Sequence, residues 1–170
     1  MNVLLVFPSI LGEERYGKLS RGGSYLPPLG IGYIAAMLES RGHNVKIIDG
    51  SIEPLTKEAL STIIEKEKID TVGITALTPS FYRALDCARI VKEINPNIIT
   101  IFGGPHPTAL SIDTIKENVV DFVACGEGEY TMSELLDTIE NKTSFSSIDG
   151  ILYKENGNIK VNKPRKRIAN

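Results

Sequence analysis

The residues best suited to binding chemistry lie at positions 102–108, which read Phe-Gly-Gly-Pro-His-Pro-Thr and follow the apolar run 98–101. Paired glycines let a ligand or another loop approach the backbone closely, and prolines restrict the turn around them. The ring of His106 can form a hydrogen bond through either nitrogen. The pattern therefore indicates either a ligand-binding loop or a pair of tight turns.

Two other stretches carry polar or flexible residues directly after short apolar runs. Residues 75–78 read Thr-Ala-Leu-Thr, and residues 126–129 read Gly-Glu-Gly-Glu. Threonine hydroxyls can bond a ligand, although Thr78 can equally cap the helix that follows it, and both roles are compatible. Glu127 and Glu129 are typical partners of a helix dipole.

The elements that must position these stretches alternate regularly along the chain. Apolar runs at 3–7, 45–48, 72–74, 98–102 and 122–124 predict five buried strands, and helical patterns separate them. Helices are expected from Pro28 to Gly42, after Thr56, from Thr78 to Asn95, over 108–117, and around 132–139.

This alternation predicts an α/β fold of the flavodoxin-like (Rossmann-like) type, a doubly wound five-stranded parallel sheet with strand order 2-1-3-4-5. We favour that order over the longer Rossmann order because the strands end at five. A C-terminal β-hairpin is predicted from the apolar residues on either side of Asn156 and Gly157. Ligands of such folds bind beyond the carboxyl ends of the strands, where the three stretches lie.

Composition and motifs exclude several functions. The net charge of −2 does not favour nucleic acid or a membrane as partner, and cytoplasm is the default location. Two cysteines are too few for a disulfide framework. The phosphate-binding loop and the dinucleotide fingerprint are both absent, so a flavin or nucleotide site is a poorer interpretation. No catalytic residue and no metal ligand is predicted.

Four motifs in order support a family resemblance: residues 27–36 (Pro-Pro-Leu-Gly-Ile-Gly-Tyr-Ile-Ala-Ala), 72–75, 102–108 and 126–129. Together they resemble the N-terminal cobalamin-binding domain of the B12-dependent radical S-adenosylmethionine enzymes. The closing residues 149–153 and 162–165 look like the hairpin that joins this domain to the radical barrel. The resemblance covers essentially the whole chain.

The resemblance implies a cobalamin lying over the carboxyl edge of the sheet, with its nucleotide tail inserted beside the strands. No histidine precedes His43, so base-off cobalamin without a protein histidine ligand is expected. The implied cofactor-binding residues are Thr75, Leu77, Thr78, Gly103, Gly104, Pro105, His106, Gly126 and Glu127. His106 would either bond the cofactor or cap a helix starting near Thr108.

The resemblance also implies a division of the chain into a cobalamin-binding domain at 1–145, a hairpin extension at 146–163 and a linker at 164–170. That linker would lead to a radical S-adenosylmethionine domain absent from this chain, because the cluster-binding pattern C-x-x-x-C-x-x-C is missing. S-adenosylmethionine and the [4Fe–4S] cluster are therefore expected only in the absent domain, and this chain alone is not expected to be catalytic. The alternative is the same fold without cobalamin, acting as a structural or partner-docking domain.

Overall fold

The central element is a seven-stranded sheet with strand order β2-β1-β3-β4-β5-β6-β7. The computed structural model describes residues 1–8 and 26–168. The sequence after the first strand predicts a long binding loop that contains Arg15, Tyr16 and Arg21, and this loop lies outside the described residues. The strands are β1 Asn2–Phe7, β2 Asn44–Asp49, β3 Thr71–Thr75, β4 Ile99–Gly103, β5 Phe122–Ala124, β6 Ile151–Glu155 and β7 Asn158–Val161.

The parallel strands β1 to β5 have the predicted order, but the sheet has seven strands rather than the predicted five. The hairpin continues the same sheet, because β6 pairs antiparallel with β5 and β7 pairs antiparallel with β6. The apolar residues at 151–153 are buried by this pairing. Asn156 and Gly157 both have positive φ, as a tight hairpin turn requires. The proposed division at residues 145 and 163 stays a prediction.

The described residues form six α-helices. They are α1 Leu29–Ser40, α2 Lys57–Glu67, α3 Phe81–Ile94, α4 Pro105–Ala109, α5 Ser111–Lys116 and α6 Gly128–Asn141. Thr56 caps α2 as predicted, since its side chain accepts a 3.2 Å hydrogen bond from the Ala59 backbone. None of the helices within residues 1–8 and 26–168 has the length and apolar character of a membrane span.

The helix expected over 108–117 is instead two short helices, and the first begins at Pro105. Proline suits the first helical position because its missing N–H has no helical partner there. Leu110 separates the two helices, with φ −123° and ψ 48°, outside the helical region.

The sheet has helices on both faces, so alternate residues of each strand enter different cores. Val3 and Leu5 pack with residues of α1 and α6, whereas Leu4 and Val6 pack with residues of α2 and α3. This period of two explains why the strands read as continuous apolar runs rather than alternating ones. The cavity described below opens on the face of α1 and α6.

We expect the hairpin to contribute to the free energy of unfolding of the domain. Ile151 is completely buried in β6, whereas Val161 in β7 is 61% exposed. Ile151→Ala is expected to lower the free energy of unfolding by about 2–5 kcal/mol, since it deletes buried methyl groups. Val161→Ala is the matched control and should cost less than about 1 kcal/mol. Urea denaturation measures both, and equal losses would contradict this role of the hairpin.

Candidate functional site

A cavity of about 360 Å³ lies beneath the carboxyl edge of the sheet, between the sheet and helices α1 and α6. This volume is within the range of small-molecule sites, about 300–1,000 Å³. Its deep part is apolar, with Leu5, Ile31, Ile34, Ile101 and Met132 around it. The cavity therefore suits an apolar or aromatic group that enters from the strand ends.

The floor of the cavity is a row of residues on three neighbouring strands. Leu5 of β1 pairs with Gly73 of β3, and Gly73 pairs with Ile101 of β4. This row lies two residues before the ends of β3 and β4, so the cavity reaches about 7 Å below the edge of the sheet. A Cβ on Gly73 would lie 2.8 Å from Leu5 Cδ2, so a side chain there would require the Leu5 side chain to shift.

The mouth of the cavity is formed by the residues that follow β3, β4 and β5. Thr75 and Gly103 are the last residues of their strands, and Gly126 and Glu127 precede α6. A Cβ on Gly103 would meet only Ala124 O, at an ordinary contact distance of 3.6 Å. The missing side chain at Gly103 therefore leaves space that no other residue in the described part of the chain fills.

Gly104 has a different reason to be glycine. Its φ is +95° with ψ −174°, a conformation that is essentially restricted to glycine. A Cβ there would lie 2.6 Å from Thr75 Oγ1 and 3.1 Å from the backbone of Ala76. Ala76 N–H donates to Gly103 O at 2.9 Å, and His106 N–H donates to Ala76 O at 3.1 Å. Gly104 thus permits the close contact between the loops after β3 and β4.

The ring of His106 is directed to the opposite face of the sheet from the cavity. It stacks on Phe81 of α3, with ring centroids 4.0 Å apart, and His106 Nδ1 is hydrogen-bonded to Thr78 Oγ1 at 3.2 Å. The residue is buried, at 8% exposure, among residues of the α2 and α3 side. His106 lies within α4, so it does not cap a helix that starts near Thr108.

The structure brings together six of the nine sequence-predicted site residues. Thr75, Gly103, Gly104, Pro105, Gly126 and Glu127 line the cavity. Thr78 and His106 bond each other, and Leu77 is 43% exposed at the same edge without lining the cavity. The capping role considered for Thr78 is also absent, since α3 begins after a 3₁₀ turn at Thr78–Ser80.

Sequence reasoning missed the deep part of the cavity, which is built from residues in the middle of elements. Gly73, inside a buried apolar run, is the one signal that could have located it, because glycine weakens a strand interior. Gly30 and Gly32 lie inside a helical pattern, where small residues predict close packing of the helix on the sheet. This prediction is wrong. A Cβ on Gly30 or Gly32 would meet no atom of the described residues within 4 Å, and Gly30 borders the cavity.

The charged residues at the mouth are two carboxylates beside the first turn of α6. Glu127 Oε2 accepts a 2.5 Å hydrogen bond from the backbone N–H of Ile168. Glu129 Oε2 is buried and has no hydrogen-bond partner among residues 1–8 and 26–168. Nearby Cys125 does not line the cavity, and burial raises the pKa of its thiol while a hydrogen bond with Ser111 opposes this. We therefore assign Cys125 no chemistry.

The C-terminal segment 162–168 packs back toward this mouth. Gly150 N–H donates to Lys163 O at 2.6 Å, and Arg165 forms a bidentate ion pair with Glu134 of α6. The backbone of Ile168 then reaches Glu127. The chain thus passes from the hairpin along α6 to the cavity.

The fold and the cavity define a doubly wound α/β domain with a cavity under the carboxyl ends of its parallel strands. The family model of the B12 binding domain matches residues 19–136. The chain belongs to this B12-binding domain family.

Its relatives are larger proteins. The chain is 41% identical over 171 residues to an uncharacterized methyltransferase of Pyrococcus horikoshii, covering 100% of this chain and 36% of that protein. It is 31% identical over 158 residues to the anaerobic magnesium-protoporphyrin IX monomethyl ester cyclase of Rubrivivax gelatinosus, covering 90% of this chain and 28% of that protein. The chain therefore spans about a third of the length of these relatives.

Two solved structures share the fold. The radical S-adenosylmethionine methyltransferase TsrM from Kitasatospora setae superposes with a TM-score of 0.78 at 16% identity, over 97% of this chain and 30% of that chain. The cobalamin-dependent S-adenosylmethionine radical enzyme OxsB, with aqua-cobalamin and S-adenosylmethionine bound, superposes with a TM-score of 0.75 at 20% identity. The match covers 98% of this chain and 22% of that chain.

The two adjacent glycines should respond differently to alanine. Gly104→Ala is expected to lower the free energy of unfolding by about 1–3 kcal/mol, because its φ and its contact with Thr75 both exclude a Cβ. Gly103→Ala should leave stability within about 1 kcal/mol, since its Cβ meets only Ala124 O. Thermal and urea denaturation compare the two variants. Equal destabilisation would show that both glycines serve packing alone.

Proposed function

We propose that this chain is the cobalamin-binding module of a larger radical S-adenosylmethionine enzyme, of methyltransferase or cyclase type. In this proposal the cofactor is bound base-off at the carboxyl edge of the sheet, with its nucleotide tail in the cavity. The observation that carries the proposal is the cavity itself, a largely apolar slot that starts at the strand ends and runs beside β1, β3 and β4.

The residues around the cavity fit the tail of such a cofactor. Leu5, Ile34 and Met132 offer apolar contacts to a flat aromatic base, and Gly103 provides space at the entrance. Thr75 supplies a hydroxyl at the same level. We therefore propose that Thr75, Gly103, Gly104, Pro105, Gly126 and Glu127 contact the cofactor, and we leave Leu77, Thr78 and His106 out of the proposed site.

The positions of the two histidines support base-off binding without a protein ligand to cobalt. His43 immediately precedes β2, at the amino edge of the sheet, where its Nδ1 is 3.1 Å from the Met1 amino group. The ring of His106 is held by Phe81 and Thr78. Neither histidine lines the cavity. A tail inserted in the cavity would also hold its own base away from the metal.

The relatives support a larger parent protein. The chain spans 36% of the Pyrococcus horikoshii relative and 28% of the Rubrivivax gelatinosus relative. We propose that the remainder of the polypeptide carries the S-adenosylmethionine site and the [4Fe–4S] cluster and is the partner of this domain. When bound, cobalamin supplies methyl-transfer or radical chemistry that amino-acid side chains lack.

The charge at the mouth disfavours a flavin mononucleotide or another terminal phosphate as the ligand. A helix N-terminus attracts phosphate through its dipole and free N–H groups. Here Glu127 and Glu129 lie at the N-terminus of α6 and border the cavity, so the two charges of a terminal phosphate would be repelled more strongly there than the single charge of the phosphodiester in a cobalamin tail.

The test is an equilibrium titration of the 170-residue chain with hydroxocobalamin and methylcobalamin, followed by visible absorbance. We expect saturable binding with a base-off spectrum. Saturable binding with a base-on spectrum would contradict insertion of the tail. Absence of binding would contradict the cofactor assignment for this chain and favour a docking domain that keeps the fold.

A variant locates the site. Gly103→Leu places a side chain in the cavity mouth and should weaken cobalamin binding at least about tenfold, because the tail and the leucine compete for the same space. Ala36→Leu adds an apolar side chain at an exposed position of α1 that does not line the cavity, and should bind as the unaltered chain does. Far-ultraviolet circular dichroism checks that both variants fold. Unchanged affinity in folded Gly103→Leu would place the ligand elsewhere.

A further inference from the structure

We infer that Glu129 is the polar anchor of the cavity, where its carboxylate accepts a hydrogen bond from a hydroxyl or amide donor of the bound corrinoid. This inference rests on the cobalamin function proposed above. It assigns to one side chain of α6 a role in recognising the ligand, in addition to the apolar contacts and the glycine-lined mouth.

The first observation is an unpaired oxygen. Glu129 Oε2 is buried from solvent and has no hydrogen-bond partner in the described part of the chain. Burying a carboxylate oxygen without a partner costs free energy, and such atoms in native structures need an explanation. Among the buried unpaired atoms of residues 1–8 and 26–168, this oxygen is the one that belongs to a carboxylate.

The second observation is the position of Glu129. The residue lines the cavity together with Ile34 of α1 and Met132, one turn further along α6. The side chains of Ile34 and Met132 offer no hydrogen-bond donor, and the hydroxyl of Thr75, which also lines the cavity, is not bonded to Glu129 Oε2. The surroundings are apolar, and a hydrogen bond formed there is stronger than one formed in water.

Glu127 provides an informative contrast. Its carboxylate is already paired with the backbone N–H of Ile168. The two acids at the mouth therefore differ, because the buried oxygen that lacks a partner among the described residues belongs to Glu129. A role in the helix dipole alone would not require its oxygen to be buried, because the dipole effect operates at exposed positions.

These observations define the chemistry of the donor. The ligand must present an apolar surface to the deep part of the cavity and a neutral N–H or O–H group beside α6. A corrinoid has two kinds of such donor, the ribose hydroxyls of the nucleotide tail and the primary amides around the corrin ring. We assign the contact to this shared donor chemistry, and the ligands used in the test distinguish its two sources.

The test compares Glu129→Met with Glu129→Gln. Methionine keeps the length of the side chain and removes its hydrogen bonding, so cobalamin should bind about 10- to 100-fold more weakly. Glutamine also loses the charge but retains an acceptor oxygen, so its loss of affinity should be smaller. Both variants lose the same charge from the first turn of α6, so their difference reports the hydrogen bond.

The stability of the ligand-free variants separates a binding role from a structural one. If Glu129 serves the ligand, Glu129→Met should unfold at the same urea midpoint as Glu129→Gln or a higher one, because it removes an unpaired buried oxygen. A lower midpoint for Glu129→Met than for Glu129→Gln would assign Glu129 to the fold and overturn the inference. Glu140→Gln, at the far end of α6, is the control for lost charge and should bind cobalamin normally.

Dicyanocobinamide, which retains the corrin amides and lacks the nucleotide tail, identifies the donor. If Glu129→Met binds cobalamin more weakly but binds dicyanocobinamide as the unaltered chain does, the donor is a ribose hydroxyl. If it binds both ligands more weakly, the donor is a corrin amide. Equal cobalamin affinity of Glu129→Met and the unaltered chain would overturn the inference while leaving the proposed function standing. Failure of the unaltered chain itself to bind cobalamin would instead refute the proposed function.

Discussion

The geometry of the site depends on a backbone contact between two loops at the carboxyl edge. Ala76 donates to Gly103 O and accepts from His106 N–H, so the loop after β3 is joined to the turn after β4. Only a residue without a side chain fits between them, and this residue is Gly104. Gly126 N–H bonds Thr108 Oγ1 and connects the loop after β5 to the same structure.

Because of this contact, His106 and Gly103 of residues 102–108 face opposite sides of the sheet. His106 turns toward Phe81 and stabilises the face covered by α2 and α3. Gly103 faces α1 and α6 and leaves the cavity open. The histidine therefore secures the loop that positions the glycine, and the two residues that looked like one binding motif have separate roles.

Sequence patterns were sufficient to predict the alternating strands and helices and the hairpin. The β-branched runs predicted β1 to β5, and Asn156-Gly157 predicted the hairpin. Joining of the hairpin to the sheet depends on burial of residues 151–153 against β5, which is a contact distant in sequence. The direction of His106 follows from a helix that begins at Pro105, and helix starts are the least certain feature of a pattern. The cavity floor at Gly73 could not be predicted because it requires the register of three strands.

Residues 162–168 connect the cavity mouth to the end of the described chain through the contacts of Ile168 with Glu127 and of Arg165 with Glu134. A pull on Ile168 acts first on Glu127, whose carboxylate holds its backbone, and next on α6 through Arg165 and Glu134. The strands of the hairpin carry that load only after both attachments have yielded. Tension at this end of the chain is thus delivered to the rim of the cavity before it reaches the sheet.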